Sequence, residues 1–249
     1  MAKNKSILKI EGSLDGMTFY KTATGHFVRT KGGISKDKIM RDPAFARTRE
    51  NMQEFAHVTK SSSFLRRSIG GNLLKAKDNR VSNRLNSILT KIKKLDTQSA
   101  RGERLVGNGI TDPQGKLLLK GFDFNRHAPL WQVLLKDFVL DTQTGVVSIT
   151  QFAPAIDLNY PEGSTHVQFG LTAVQLDFTT QTSEHTQVSG NILTLDQQTI
   201  DVHLSLANLP NGNGVLLYLL LIEFFQSVNG TYYPLRNGAY NVLHIIEVV

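Results

Sequence analysis

One stretch, residues 109–116, holds glycines and a lysine at a spacing close to that of a phosphate-binding loop. Such a loop needs four residues between its glycines, and a Lys and a hydroxyl-bearing residue must follow. Here five residues separate Gly109 from Gly115, Leu117 replaces the hydroxyl, and Pro113 removes a backbone donor. We therefore predict a Gly-Pro turn at this position and not a nucleotide site.

The other residues with catalytic or metal-binding side chains are scattered along the chain. The seven histidines never occur three or four residues apart, as two metal ligands on one helix face would. The chain has no cysteine, which excludes disulfides, thiolate metal sites and thiol catalysis. Ser164 lacks the glycines that flank the serine of a nucleophile elbow. We predict a protein that is not an enzyme, with no catalytic residue, no metal site and no cofactor.

Lysine and arginine are the chemically active residues that do cluster in the sequence. The candidate contacts are Arg66, Arg67, Lys75, Lys77, Arg80, Arg84, Lys91, Lys93 and Lys94. Such a cluster attracts phosphate backbones through counterion release. It is equally the pattern of a solvated face, or of a face that meets an acidic surface on a neighbouring subunit. Only one aromatic residue, Phe64, lies within residues 61–104, and no helix-turn-helix spacing is recognisable, which favours the second interpretation.

Charge divides the chain into a basic and an acidic part. Residues 1–107 hold 23 Lys and Arg against 9 Asp and Glu, a net charge of +14. Residues 108–249 hold 5 against 12, a net charge of −7. This asymmetry indicates two surfaces with different partners, or the basic part of one molecule meeting the acidic part of another.

The basic part begins with a predicted β-ribbon, residues 6–33, whose strands are separated by turns at 14–16 and 24–25. The candidate assembly contacts are Phe19, Tyr20, Phe27 and Val28. An isolated ribbon is marginal in water, so these side chains need cover. Two interpretations stay open: a small sheet packed on its own domain, or an exposed arm that adds strands to a neighbour.

Helices are predicted after the ribbon. Asp42 is a helix cap and Pro43 fits the first helical position. The three serines at 61–63 predict a break and a new cap, and the glycines at 70–71 predict an end. The clearest helix spans residues 81–95, with an apolar stripe at helical spacing. Residues 95–116 have the polar and turn-rich composition of a linker.

From about residue 116 the pattern is typical of short antiparallel strands separated by turns. The predicted strands lie at residues 117–124, 145–152, 165–178, 190–195, 200–209, 214–225, 230–235 and 241–249. Asn229-Gly230 is a strong hairpin signal. Residues 127–141 are ambiguous between helix and strand. The predicted fold is α+β: a β-ribbon at 1–35, a basic helical segment at 36–107, and an antiparallel β-sandwich, Ig-like or jelly-roll-like, at 108–249.

Two signature runs resemble those of a known protein family. Residues 19–33, FYKT followed by VRTKGG, and residues 41–51, RDPAFARTREN, are similar to a family of uncharacterised proteins common in Bacteroidota, and the run at 230–248 resembles the end of the same family. The resemblance implies a bacterial origin and one β–α–β architecture, and it carries no established activity. Some short proteins with a similar ribbon are of suspected phage or mobile-element origin.

The leading prediction is a structural protein that self-associates into a ring, shell or filament. The alternative is a nucleic-acid-binding protein that uses the basic helical face. A carbohydrate-binding sandwich is a weaker third class, because Trp131 is the single tryptophan and no turn holds an aromatic cluster. The longest apolar run, residues 215–222, is too short to cross a membrane, and no secretory signal is evident, so we expect a cytoplasmic protein, with signal-independent export left open.

Overall fold

The computed structural model describes residues 2–5, 9–30, 32–235 and 240–249. The helices are α1 (Lys36–Arg41), α2 (Ala46–Ser68), α3 (Asn72–Lys75), α4 (Val81–Ile92), α5 (Val106–Gly109), α6 (Pro113–Leu119), α7 (Leu130–Val133) and α8 (Pro154–Asp157), with short 3-10 turns at Pro43–Phe45 and Lys93–Leu95. The strands are β1 (Ala2–Lys3), β2 (Gly12–Leu14), β3 (Met17–Thr22), β4 (Gly25–Thr30), β5 (Val139–Asp141), β6 (Val146–Phe152), β7 (His166–Asp177), β8 (Thr182–Ser189), β9 (Leu193–Thr194), β10 (Ile200–Ser205), β11 (Val215–Val228), β12 (Thr231–Pro234) and β13 (Val242–Val248).

The chain divides into two compact units, residues 1–49 and 50–249, which we call the N-terminal unit and the main unit. The sequence predicts three parts, with boundaries at 35/36 and 107/108. The α+β class is confirmed, with antiparallel sheets and a C-terminal part that resembles a β-sandwich. None of the helices in the described ranges is both long enough and apolar enough to cross a membrane.

The N-terminal unit holds a four-stranded antiparallel sheet in the order β1-β4-β3-β2. The predicted turn between β2 and β3 is present, with Asp15 and Gly16 both at positive φ, as a two-residue hairpin turn requires. The predicted ribbon begins at residue 6, whereas β2 begins at Gly12; residues 6–8 of the predicted ribbon lie outside the described part of the chain.

The cap predicted at the start of the long helix is confirmed. The side chain of Asp42 accepts a hydrogen bond from the Ala44 amide, and Pro43 occupies the first position of the 3-10 turn that leads into α2. The predicted break at residues 61–63 is wrong, because α2 continues to Ser68. Ser61 and Ser62 are buried, so tertiary packing of this stretch outweighs the modest helix propensity of serine.

The main unit is built in three layers around one large sheet, in the order β12-β11-β7-β8 with β13 and β9 attached. One face of this sheet, including Leu217, Leu219 and Leu221, packs against α2, α4 and α6 in a first core. The other face, including Tyr218 and Leu220, packs against the small sheet β10-β6-β5 in a second core. Strand β11 is therefore buried on both faces, which is why its sequence is continuously apolar.

The basic helices and the β part are thus one packed structure. The buried stripe of α4, Val81, Leu85, Leu89 and Ile92, lies in the same core as the sheet residues. The linker predicted at 95–116 is wrong, since α5 and most of α6 fall in or beside it and bury Val106 and Ile110. Composition missed these helices because they are too short to show an apolar period.

Two further elements of the structure differ from the sequence-based prediction, and one predicted element is confirmed. The strand predicted at 117–124 is wrong at its start, where α6 extends to Leu119; only the backbone at 121–124 pairs, with β13. The ambiguous segment 127–141 contains both α7 and β5. The hairpin at Asn229-Gly230 is present between β11 and β12, with both turn residues at positive φ.

Candidate functional site

The structure separates the nine predicted contact cations into two groups. Three are held in ion pairs inside the main unit: Lys75 with Glu223, Arg84 with Asp78, and Lys93 with Glu54. The other six, which make no ion pair with a described residue, are Arg66, Arg67, Lys77, Arg80, Lys91 and Lys94. The basic surface available to a partner is therefore smaller than the sequence cluster.

Glu54, on α2, is the centre of the most buried charge cluster. Its side chain is 1% exposed and is bound by Lys93 and by Arg104, whose Nε lies 2.8 Å from Glu54 Oε1. The Gly102 amide donates a further hydrogen bond at 2.9 Å. The pKa of Glu54 falls from 4.5 to about 2, and the hydrogen bond from the Arg104 guanidinium is the largest cause. Burial alone would raise this pKa, but Lys93 and the Gly102 amide also lower it.

Asp96 organises the segment that follows α4. Burial alone would raise its pKa, but hydrogen bonds from the amides of Leu105, Ser99 and Gln98 lower it to about 2. The Asn108 side chain also donates to Asp96, at 3.1 Å. This carboxylate therefore holds residues 98–108 on the helices, in the part of the chain where the sequence predicted a linker.

Arg84 is part of a structural cluster in the main unit. It pairs with buried Asp78, donates to the backbone oxygen of Asp123 at 2.7 Å, and lies 4.9 Å from the Phe122 ring centroid. Asp123 in turn contacts His244 Nδ1 at 2.6 Å. These contacts join α4 to β13 through the 121–124 backbone, and they give Asp123 and His244 a structural role.

Lys75 joins the helices to the large sheet. Its Nζ lies 2.7 Å from Glu223, a residue on β11 whose side chain is 8% exposed. Nearby, Asn72 Nδ2 donates to Thr172 Oγ1 at 2.9 Å and to Gln187 Oε1 at 3.2 Å. A cation from residues 1–107 is thus neutralised by a carboxylate from residues 108–249 inside the main unit.

The glycines at 109 and 115 have a packing role. A Cβ on Gly109 would lie 2.0 Å from the Ile92 carbonyl oxygen, and one on Gly115 would lie 2.2 Å from the Gly109 oxygen. Real Cβ atoms do not approach backbone this closely. The two glycines therefore let α4, α5 and α6 approach one another, which accounts for a spacing that only resembles a phosphate-binding loop.

The predicted assembly residues lie on both faces of the N-terminal sheet. Phe19 pairs with Val28, and Leu14 pairs with Met17, on one face, which we call the apolar sheet face. On the other face Tyr20 stacks on Phe27, with ring centroids 6.0 Å apart. Leu14 is 60% exposed and Met17 40%, and none of the four predicted residues is buried.

A cleft that sequence reasoning missed lies beside Trp131. It measures about 530 Å³ and is bordered by Trp131, Tyr160 and Tyr240, with the amides of Gln132 and Asn159. The three aromatic residues come from three distant parts of the chain, so no local pattern could have revealed them. A prediction based on one turn could not detect this cluster.

The histidines do not come together as metal ligands. Within the described ranges, no group of three or more His, Asp or Glu side chains is placed to hold a metal ion. His57 has a structural partner: its Nε2 accepts the Val106 amide at 3.0 Å, and burial, followed by Lys60 and Lys93, lowers its pKa. His166 faces the Tyr232 ring with centroids 4.7 Å apart, and His203 Nδ1 contacts Ser148 at 3.0 Å.

Comparison with protein-family models, with curated proteins and with solved structures returned no match.

Proposed function

We propose that the protein is a non-enzymatic structural protein that self-associates through its N-terminal unit. One observation carries the proposal. None of the described residues in 1–49 is buried, although this unit forms a four-stranded sheet with Phe19, Tyr20, Phe27 and Val28 on its strands. A small sheet without a buried side chain gains too little from the hydrophobic effect to offset the entropy of ordering its chain. Cover by a partner would supply the missing burial.

Charge supports a second copy of the chain as that partner. The N-terminal unit has eleven Lys and Arg against four Asp and Glu, so it carries the whole net charge of +7. The main unit has seventeen of each and is neutral overall. Its exposed carboxylates include Asp137, Asp141, Glu162, Glu184 and Asp201, all in the β part. A second copy therefore offers acidic groups to the basic unit, and its own apolar sheet face and strand edges for pairing.

The test uses two neighbouring residues of β3 that lie on opposite faces of the sheet. Met17→Glu places a charge on the apolar sheet face, whereas Thr18→Glu places the same charge on the other face. We expect light scattering of nuclease-treated wild-type protein at physiological salt to give a discrete multiple of 27.7 kDa or a much larger species. Met17→Glu should reduce that mass and Thr18→Glu should retain it.

Two results would count against self-association through this face. A monomeric wild-type protein would remove the proposal altogether. An assembly that loses the same mass in both variants would show that added charge, and not the apolar sheet face, controls the mass.

Nucleic-acid binding is the second candidate, and the six cations without ion pairs favour it. Lys91 and Lys94 are both exposed and border one cleft of about 570 Å³ between α2 and α4. Lys93 is excluded from this surface because it is buried against Glu54. The combined replacement Lys91→Ala and Lys94→Ala is therefore the informative variant, because it leaves the buried cluster intact.

The matched control is Lys120→Ala, which removes an exposed lysine that is paired with Glu247. If Lys91 and Lys94 contact phosphates, the slope of log K against log salt should fall by about 1 for each lost contact, and the control should leave it unchanged. DNA and RNA retention equal to that of the wild-type protein across a salt series would eliminate this candidate.

A further inference from the structure

We infer that the cleft beside Trp131 binds a neutral oligosaccharide. This inference goes beyond the proposed self-association and does not depend on it, since the cleft lies wholly within the main unit. Its volume of about 530 Å³ is within the usual range of ligand sites. Three features of the cleft indicate this ligand: its aromatic faces, their rigid support, and polar groups that are available to bind a ligand.

Trp131 is an exposed aromatic residue on a short helix whose other apolar residues are buried. Its side chain is 70% exposed, while its neighbours Leu130 and Val133 on α7 are buried. Leaving an indole in water forgoes a large hydrophobic gain, because aromatic side chains bury 150–250 Å² each when packed. Tyr160, 37% exposed, borders the same cleft. Flat aromatic faces stack against the C–H faces of pyranose rings.

The two sides of the cleft are held together by backbone pairing. The Leu135 amide donates to the Asp157 oxygen at 2.9 Å, and the Asn159 amide donates to the Val133 oxygen at 2.9 Å. Leu134 and Leu158 form an antiparallel bridge between these bonds. Trp131 and Tyr160 therefore extend from paired segments, so their spacing exists before any ligand arrives. Such preorganisation reduces the entropy lost on binding.

The polar groups in the cleft select for a ligand that both donates and accepts hydrogen bonds. Asn159 Nδ2 already donates to the Gln132 backbone oxygen at 2.6 Å, which leaves Asn159 Oδ1 as an acceptor. The Gln132 side-chain amide and the hydroxyls of Tyr160 and Tyr240 form no hydrogen bond with a described residue. Sugar hydroxyls satisfy donors and acceptors alike. A proline-rich segment, which also binds aromatic grooves, lacks N–H donors at its prolines.

Charge narrows the ligand class further. The residues that line the cleft are aromatic, aliphatic or amide residues, and none of them is ionisable near neutral pH. An acidic sugar would lose the hydration of its carboxylate or sulfate without gaining a cation from these lining residues. A neutral hexose or pentose polymer is the class that matches.

Trp131 makes the test direct, because it is the sole tryptophan of the chain. It borders this cleft and an adjoining one lined by Arg84, Lys120 and Arg126, so the Tyr160 variant assigns a fluorescence shift to this cleft. Full-length protein is titrated with a panel of neutral hexasaccharides: β-1,4- and β-1,3-glucan, xylan, mannan and α-1,4-glucan fragments. We expect one class to give a saturable blue shift. Tyr160→Ala should weaken that binding about fivefold to thirtyfold. Tyr233→Ala, which removes an exposed tyrosine outside the cleft, should not change it.

Three outcomes would overturn the inference. One is the absence of a saturable shift with every member of the panel. Another is an equal loss of binding in Tyr160→Ala and Tyr233→Ala. The third is a shift that follows protein concentration or an added proline-rich peptide and not sugar, which would assign the cleft to contacts between copies or to a peptide.

Discussion

The two units of the chain use charged and apolar residues in opposite ways. The main unit packs helices and two sheets around two cores and ties them with carboxylates such as Glu54 and Asp78, each of which is buried against a cation. The N-terminal unit forms a regular sheet but buries none of its described residues, and its ion pair Arg41–Asp37 is 80% and 70% exposed. Both units contain regularly hydrogen-bonded sheets, so hydrogen bonding does not separate them. They differ in the extent to which their side chains are buried.

The two units also differ in net charge. The cations of the helical segment are balanced by carboxylates of the same unit, so the surplus of positive charge lies in residues 1–49. A partner attracted by net charge alone would therefore meet the N-terminal unit. The following predictions test the contrast between the units, starting with the largest expected effect.

Replacement of the central carboxylate should disrupt the main unit most. Glu54→Gln leaves Lys93 buried without its carboxylate and removes the charge partner of Arg104. Breaking a buried ion pair by removing one partner costs about 3–5 kcal/mol. Denaturant unfolding should show this loss in the free energy of unfolding. The control Glu50→Gln breaks the partly exposed pair with Arg101 and should cost less than about 1 kcal/mol. Equal losses would contradict the role given to burial.

Acid should weaken the main unit through the same carboxylates. The pKa values of Glu54 and Asp96 are about 2, below their ordinary values of 4.5 and 3.8, so the unfolded chain binds protons first as the pH falls. Their contribution is complete above pH of about 5 and is lost as the pH approaches about 2. Unfolding measured over a pH series should show this decline. Asp96→Asn should have a shallower slope than the wild-type protein; identical slopes would contradict the assignment.

The close helix packing at Gly109 gives the next effect. Gly109→Ala would place a Cβ against the Ile92 carbonyl, and overpacking of this kind costs about 1–3 kcal/mol. Gly71→Ala is the matched control, because nothing lies within 4 Å of its added Cβ and its φ is −62°. That variant should be neutral or more stable by about 0.4–1 kcal/mol. Thermal unfolding of both variants checks the opposite signs.

The smallest effect is expected for a charge pair of the N-terminal unit. Arg41→Ala removes a pair with Asp37 that is open to solvent, and it should change the free energy of unfolding by less than about 0.5 kcal/mol. Lys75→Ala in the main unit leaves Glu223 without its cation at an 8% exposed position and should cost about 1–3 kcal/mol. A loss for Arg41→Ala as large as that for Lys75→Ala would remove the distinction between the units.

Sequence reasoning succeeded where a signal is local. The Asp42 cap, the apolar stripe of α4, the buried strand β11 and the Asn229-Gly230 hairpin each depend on residues within one element, and each is present. It failed where packing between residues that are distant in sequence determines the local structure. Ser61 and Ser62 are helical because the core covers them, and residues 95–116 form short helices because Asp96 and two glycines hold them together.

The candidate sites show the same division. Clustering of Lys93 and Arg84 with other cations is visible in the sequence, but their burial against Glu54 and Asp78 depends on contacts between separate elements. The cleft beside Trp131 combines residues from three segments, the last of which begins about 80 residues after Tyr160, and no spacing rule connects them.

The position of β11 at the centre of the fold has a consequence for synthesis on the ribosome. The apolar stripe of α4 ends at Ile92, whereas the central strand of the sheet in the same core begins at Val215. At a translation rate of about 5–20 residues per second, the roughly 120 residues between them take on the order of 6–25 s to be made. During that interval the core that holds the stripe lacks the central strand of its sheet. Transiently exposed apolar surface favours aggregation, and exposed lysines beside the stripe, such as Lys91 and Lys94, oppose it.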